Sequence, residues 1–274
     1  MITMQREVVR IDPELTQIVV APLNPTTVVF LIGVGVFSLS TVFSIATGFS
    51  LIVSGIVNGI CLYSLYTVTH DAVHRLAHHN TRVNDWMGRV AAILEGMTFP
   101  MFRIVHLQHH AFTNHPDRDP DYLIGRRPRW LLPIWTVLRL TYDNFFMLRQ
   151  RLWSSVRHGF YEHLLTVGFQ VGIVIGAIVL GYSKEIFFLW IIPLALSGTI
   201  LELTVAWLVH YPHESRRPLE NTRMFPGLLW QLLTFNQNYH LVHHLWPNIP
   251  WFRYPLAAKV VENNFKKPRS LATS

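Results

Sequence analysis

Charged residues and cysteine are both scarce in this sequence of 274 residues. Asp, Glu, Lys and Arg together make up 14% of it, whereas 50% of the residues are hydrophobic. A typical soluble domain has about a quarter charged residues. The single cysteine, Cys61, excludes a disulfide framework within the chain and a metal cluster built from thiolates. The scarcity of charge indicates a membrane protein.

The charges that are present leave long apolar runs between them. No Asp, Glu, Lys or Arg occurs from Leu15 to Thr69, and this length allows two helices of the roughly 20 residues that cross a bilayer. Two further runs follow, and the second is interrupted only by Glu202. The pattern predicts an all-α membrane protein with four transmembrane helices in two hairpins. The predicted spans cover residues 28–46, 50–69, 164–183 and 186–209.

Most Lys and Arg residues lie in two polar segments, residues 70–163 and 210–274. Positively charged segments tend to stay on the cytoplasmic side. Both segments and both termini are therefore predicted to face the cytoplasm, where the segments would form a helical cap within one domain covering residues 1–274. This topology signal and contact with anionic lipids account for the net charge of +7. No recognised nucleic-acid-binding module accompanies the charge.

Histidine is abundant, with 15 residues that fall mostly into four groups. A lone HxxxH pair arises by chance in a chain with this much histidine, but two separate HxxHH triplets are a strong signal. Residues i, i+3 and i+4 share one helix face, so each triplet presents three imidazoles to one point. The groups are His70, His74, His78 and His79; His106, His109 and His110; His210 and His213; and His240, His243 and His244.

These histidines offer more ligands than a single metal takes. Two of the groups begin where predicted spans end, so all four are expected at one membrane surface. A metal such as zinc accepts about four ligands, and the pair with the two triplets therefore predicts two metals bound almost wholly by nitrogen. Imidazole binds iron, zinc, copper and nickel, so the ligand type does not name the metal. Asp119 and Asp121 could each accept the second N–H of a ligand ring, although a solvated turn explains them equally well.

Three stretches carry a resemblance to a known family: THDAVHRLAH, TFPMFRIVHLQHH followed by DPD, and YHLVHHLWPNIPW. They resemble the histidine boxes of the membrane fatty-acid desaturase and hydroxylase superfamily, and are most similar to its β-carotene hydroxylases of the cyanobacterial type. The resemblance implies a centre of two non-haem irons, O₂ as co-substrate, and electrons from a separate donor, most simply a ferredoxin. The metal ligands it implies are His70, His74, His106, His109, His110, His213, His240, His243 and His244.

Other residues are candidates for supporting those ligands rather than binding metal. His213 matches the family position of the ninth ligand better than His210, which leaves His210 in a supporting role. Such a role aims a ligand ring by accepting or donating a hydrogen bond. The candidates are Asp119, Asp121, His78, His210 and Asn238.

The resemblance implies hydroxylation of β-carotene at ring carbon 3, giving zeaxanthin by way of cryptoxanthin. The substrate is expected to be lipid-soluble because the histidines lie where the spans end. A fatty-acyl desaturase, and after it a carotenoid ketolase, are alternatives because they share the boxes. A membrane metal carrier or sensor would have ionisable residues along its spans, where only Glu202 occurs. A haem protein would have facing histidines inside the spans, and none precedes His70.

Overall fold

The computed structural model describes residues 21–266, and the regular secondary structure of this part is helical throughout. The predicted all-α class is therefore confirmed. Both termini, predicted to face the cytoplasm, lie outside the described residues. The helices are α1 (Pro25–Thr47), α2 (Leu51–Val73), α3 (Thr81–Leu94), α4 (Phe99–Phe112), α5 (Tyr122–Arg126), α6 (Leu132–Arg149), α7 (Arg157–Val179), α8 (Ser183–His210), α9 (Leu228–Thr234), α10 (His240–Leu245) and α11 (Tyr254–Lys266).

Four helices, α1, α2, α7 and α8, are long and apolar enough to cross a membrane. Large apolar side chains point outward from them, with Leu39 72% and Leu165 75% exposed, a surface that suits lipid rather than water. The third span differs most from its predicted bounds: α7 ends at Val179 because Gly181 adopts a left-handed φ of 87°. The pairing of spans into hairpins and the side of the membrane that each end faces stay predictions.

Helices α1 and α2 are joined by polar contacts as well as by apolar packing. Asn24 caps the start of α1, and the left-handed Gly48 ends it. Between the two helices, Ser44 Oγ lies 2.6 Å from Ser54 Oγ. Asn58 Nδ2 donates to the carbonyl of Leu189 on α8 at 2.8 Å. Side-chain hydrogen bonds of this kind between apolar helices each contribute about 0.6 kcal/mol on average, and they fix the register of α2 against its neighbours.

The turn after α2 carries part of the first histidine group and is held by two asparagines. Asn84 Nδ2 donates to the Ala72 carbonyl at 2.9 Å, and its Oδ1 accepts the Ala77 N–H at 3.1 Å. Asn24 Nδ2 donates to the Ala77 carbonyl at 3.0 Å. Because these backbone groups are buried, their hydrogen bonds must be made within the protein. The turn is thereby fixed against α1 and α3, and the end of α2 is fixed with it.

Helices α3 and α4 are apolar but bent by 99° at the residues between them. Gly96 makes the bend with a φ of 66°, a conformation open to glycine. The bend returns α4 against the end of α2, so the second histidine group faces the first.

Helix α8 departs from regular α-helical geometry in two places, Phe187–Ile191 and Glu202–Trp207, which form π-helical turns. A π turn inserts an extra residue and rotates everything after it, and such turns are frequent at functional sites. The second one ends three residues before His210 and so decides which way that ring faces.

Candidate metal centre

Four helices deliver the histidines of the site. His70 lies in the last turn of α2 and His74 follows directly after that helix. Helix α8 ends at His210. The two HxxHH triplets lie on α4 and α10, where spacings of three and four place their rings on one face. Their side chains meet where these helix ends converge.

The first group of rings that could hold a metal consists of His70, His74, His106 and His243, whose donor atoms lie within 4.8 Å of one another. The Nε2 atoms of His70 and His243 are 3.0 Å apart, and those of His74 and His106 are 2.9 Å apart. His110 adjoins this group, with its Nε2 3.0 Å from that of His106. Five nitrogens from three helices and the turn after α2 therefore point toward one place.

The second group consists of His109, His210, His240 and His244, again within 4.8 Å. The Nε2 of His240 lies 3.0 Å from that of His210 and 3.1 Å from that of His244. The His109 and His244 Nε2 atoms are 3.3 Å apart. The rings of His110 and His244 stack with centroids 4.3 Å apart, so the two groups are direct neighbours.

These spacings fit metal coordination. Two nitrogens that each lie about 2.1 Å from a shared metal are about 3.0–3.4 Å apart, close to the 2.9–3.3 Å between neighbouring Nε2 atoms here. A metal ligand must be a neutral imidazole. Burial holds the pKa of His240 and His243 well below its usual range, so both rings are neutral. The residues present therefore suit two metals, one for each group.

The outer ring nitrogens are held by partners that aim Nε2 inward. His109 Nδ1 donates to Asp119 Oδ1 at 2.8 Å, and His243 Nδ1 lies 2.8 Å from the Tyr254 hydroxyl. His210 Nδ1 contacts the Asn221 carbonyl at 3.3 Å. Partners on the second nitrogen fix the tautomer and orientation of ligand histidines. Tyr254 and Asn221 belong to no histidine motif, so sequence reasoning missed both.

The structure places His213 apart from both groups. Its Nε2 donates to the Trp207 carbonyl at 3.1 Å, and its ring packs so closely on Gly125 that no side chain would fit there. His210 instead joins the second group. The sequence predicted His213 as the ninth ligand and His210 as a supporting residue, whereas the arrangement of the rings favours the opposite assignment. The reason is local: the π turn and the end of α8 aim His210 at α10, whereas His213 lies beyond the helix end.

The remaining predicted supporting residues have varied positions. Asp119 contacts a histidine of the second group, as described above. Asp121 lies 3.5 Å from His109 Nδ1 and is paired with Arg139. His78 accepts the Asn80 N–H on its Nδ1 and is not among the grouped rings. Asn238 is buried, but its side chain bonds to the Phe225 carbonyl and to Thr234, so it shapes the loop before α10.

Arg139 on α6 connects three carboxylates beside the second group. Its guanidinium bonds to Asp143 at 2.9 Å, to Glu202 at 3.3 Å, and to Asp121. These side chains are 9–20% exposed, so the charges are largely desolvated and depend on one another. Arg139 lies in no motif, and only the packing of α6 on α8 reveals its role.

A cavity of about 400 Å³ adjoins the first group, with His106 on its wall. Most of its lining is apolar, but five Asp, Glu or Arg side chains besides His106 also line it, namely Glu95, Asp121, Arg139, Asp143 and Glu202. Its volume is in the range of small-molecule sites. The apolar part of the lining comprises Leu62, Met97, Met101, Phe102, Val105, Val137, Leu140, Ile191, Leu194, Leu201 and Val205.

A cluster of exposed positive charge lies at the end of α5, on the chain that follows Asp121. Arg126, Arg127 and Arg129 form this basic cluster, and all three are exposed. Arg126 also donates to the Tyr122 hydroxyl at 2.7 Å. The cluster is therefore open to a partner of negative charge.

Comparison with known proteins identifies the family. The sequence profile of the fatty acid desaturase family matches residues 47–272. The chain is 27% identical to an sn-1 oleoyl-lipid 12-desaturase of Arthrospira platensis, over 82% of this chain and 70% of that protein. It is 28% identical to a beta-carotene ketolase of Paracoccus sp. (strain PC1), over 71% of this chain and 74% of the ketolase. It is also 28% identical to a dihydrorhizobitoxine desaturase of Bradyrhizobium elkanii, over 72% and 63% of the two chains. The profile covers more than half of the chain and includes every grouped histidine, so the protein belongs to the fatty acid desaturase family of membrane oxidoreductases.

Proposed function

We propose that this protein hydroxylates the ring of β-carotene at carbon 3, giving zeaxanthin by way of cryptoxanthin. The observation that carries the proposal is the apolar cavity that reaches His106 at the edge of the first histidine group. The ring preference rests on the stretch YHLVHHLWPNIPW, which resembles β-carotene hydroxylases. Membership of an oxidoreductase family sets aside the metal carrier and the haem protein.

In this proposal the metals are two irons. The first would be held by His70, His74, His106, His110 and His243, and the second by His109, His210, His240 and His244. When both irons are bound, the chemistry available is reduction of O₂ by two electrons and two protons, with one oxygen atom inserted into a C–H bond and the other released as water.

The protein's own residues would bind and orient the substrate. A β-ionone ring has only apolar atoms, and side chains such as Leu62, Met101 and Val105 offer it an apolar wall beside His106. Burial of the ring would exclude water from the reacting carbon. Asp119 and Tyr254 would keep the ligand rings in place through their outer nitrogens. The reaction outcome then depends on which ring carbon the cavity brings nearest to His106.

Electrons would come from a separate protein, most simply a ferredoxin. Such donors are generally acidic, and the exposed basic cluster offers them a complementary surface. Encounter between opposite charges of this kind is faster at low ionic strength.

Desaturation of an acyl lipid is the second candidate function. The relative that desaturates an oleoyl lipid aligns with 82% of this chain, and the histidine boxes serve either chemistry. Ketolation of a carotenoid is the third, since a beta-carotene ketolase is equally similar. The candidates differ in product rather than in metal site.

Expression in a bacterial host that already makes β-carotene separates these functions. We expect cryptoxanthin and zeaxanthin in the pigment extract, and neither in cells expressing the His243→Ala variant. Keto-carotenoids would identify a ketolase, and new double bonds in the membrane lipids a desaturase. Either result, without cryptoxanthin or zeaxanthin in the extract, would overturn the proposed hydroxylase.

A further inference from the structure

One wall of the cavity contains a buried acceptor with no partner. Glu95 follows α3, is 7% exposed, and lines the cavity. Its Oε2 accepts a hydrogen bond from the Thr69 hydroxyl at 2.8 Å. Its Oε1 is buried and has no hydrogen-bond partner within residues 21–266. Leaving a buried polar atom without a partner is unfavourable, so this oxygen favours any ligand that supplies a donor.

Glu95 differs from the other carboxyl groups of the cavity. Asp121, Asp143 and Glu202 each contact the Arg139 guanidinium, although Glu202 Oε2 also has no hydrogen-bond partner within the described residues. Glu95 contacts no basic side chain there and has Thr69 as its hydrogen-bond partner. Its surroundings along the wall are apolar and include Gly96, Met97 and Leu194. The group therefore presents a single acceptor in an apolar wall.

The position of Glu95 relates it to the metal centre. Thr69, which holds one carboxyl oxygen, directly precedes His70 of the first group. A ligand atom at Glu95 Oε1 thus lies on the side of the cavity where α2 delivers its histidines.

From these observations we infer that the cavity recognises a hydroxyl group on an otherwise apolar lipid, and that Glu95 accepts its hydrogen bond. One acceptor in an apolar wall suits a neutral hydroxyl, whose single O–H it satisfies. A hydroxyl both donates and accepts, so it can satisfy the Glu95 carboxyl in either protonation state, whereas an ammonium group has three donors that this wall does not satisfy. The inference rests on the proposed function, in which the hydroxyl is that of the hydroxylated ring. Glu95 is accordingly a positioning residue that retains the hydroxylated ring or admits a ring already bearing a hydroxyl.

The test is equilibrium binding to the full chain, loaded with metal and reconstituted in lipid nanodiscs without an electron donor. The probes are β-ionone and 3-hydroxy-β-ionone, which present the ring without the long chain. We expect the hydroxylated probe to bind about tenfold more tightly, the effect of one hydrogen bond to a carboxyl group. The variant Glu95→Met, which is unbranched and of similar length, should bind both probes equally. Glu95→Gln keeps an acceptor oxygen and should retain the preference.

Met97→Leu is the matched control, because Met97 lines the same wall without a polar atom; it should change the affinity for both probes by the same factor. A second control uses the unaltered protein: the methyl ether of 3-hydroxy-β-ionone should bind to it no better than β-ionone does. Equal binding of the two probes to the unaltered protein overturns the inference, as does a tenfold preference that persists in Glu95→Met. A methyl ether that binds as tightly as the alcohol also overturns it.

A second probe pair, oleyl alcohol and 1-octadecene, distinguishes this inference from the proposed function. If the pigment analysis reveals an acyl-lipid desaturase, a preference for the alcohol that disappears in Glu95→Met still supports recognition of a hydroxyl. If the pigment analysis reveals zeaxanthin but neither pair shows a preference, the proposed function stands and the inference fails.

Discussion

Replacing His210 by alanine is expected to remove about half of the bound metal, whereas replacing His213 leaves both metals in place. The second group has four nitrogens within 4.8 Å of one another, and His210 supplies one of them. Loss of a partner that merely orients a ligand typically lowers metal affinity by about 10–100-fold, and loss of the ligand itself should cost more. The ratio of metal to protein should therefore fall from about two to about one.

We expect His213 to stabilise the fold rather than to bind metal, and the same experiment tests this. Its ring is 1% exposed, and its Nε2 donates to the Trp207 carbonyl, which also accepts the Tyr211 N–H at 3.0 Å. The variant His213→Ala loses one hydrogen bond of about 1 kcal/mol and some packing on Gly125, while the carbonyl keeps a partner. We expect a lower unfolding temperature with the metal content unchanged.

The measurement is elemental analysis of each purified variant, followed by competition with a chelator. The exposed His79, which belongs to neither group, supplies the control variant His79→Ala. Metal loss in His213→Ala with two metals retained in His210→Ala would refute the assignment of the second group. It would also restore the ligand set that the family resemblance alone implies.

Three further predictions concern the surroundings of the centre. Asp119→Asn should lower metal affinity by about 10–100-fold, because the amide is a poorer acceptor for the His109 N–H; chelator titration measures this, with exposed Asp117→Asn as the control. Arg139→Met should lower stability by about 3 kcal/mol, because three buried carboxylates lose their counter-charge; an unchanged unfolding temperature would contradict this. Reversing all three charges of the basic cluster should slow electron delivery at low salt and much less at high salt, since exposed charges are screened within about 10 Å at 0.1 M. Equal rates at low salt would leave the cluster without a role in docking the donor.

Much of the fold and of the site follows from local features of the sequence. Uncharged runs of about 20 residues predicted four spans, and the structure has four helices of suitable length and composition. The HxxHH spacing predicted that three rings share one helix face, which α4 and α10 confirm. Both inferences succeed because helical periodicity and membrane thickness act on contiguous residues.

Features that depend on more than one helix were decided by the tertiary structure. The choice between His210 and His213 depends on a π turn in α8 and on how the end of that helix faces α10. The division of the histidines into two groups depends on which rings meet across the helix ends. It separates the neighbouring residues His109 and His110, which a sequence motif treats as one set.

The sequence by itself determined that this chain is a helical membrane protein with a nitrogen-rich candidate metal centre, because charge scarcity and histidine spacing are properties of single segments. Only the tertiary structure decided that Tyr254 holds His243, that Arg139 joins three carboxylates, and that Glu95 faces an apolar cavity. These contacts join residues far apart in the sequence or in separate helices. No local pattern encodes them, because they arise only when buried polar groups find partners as the helices pack together.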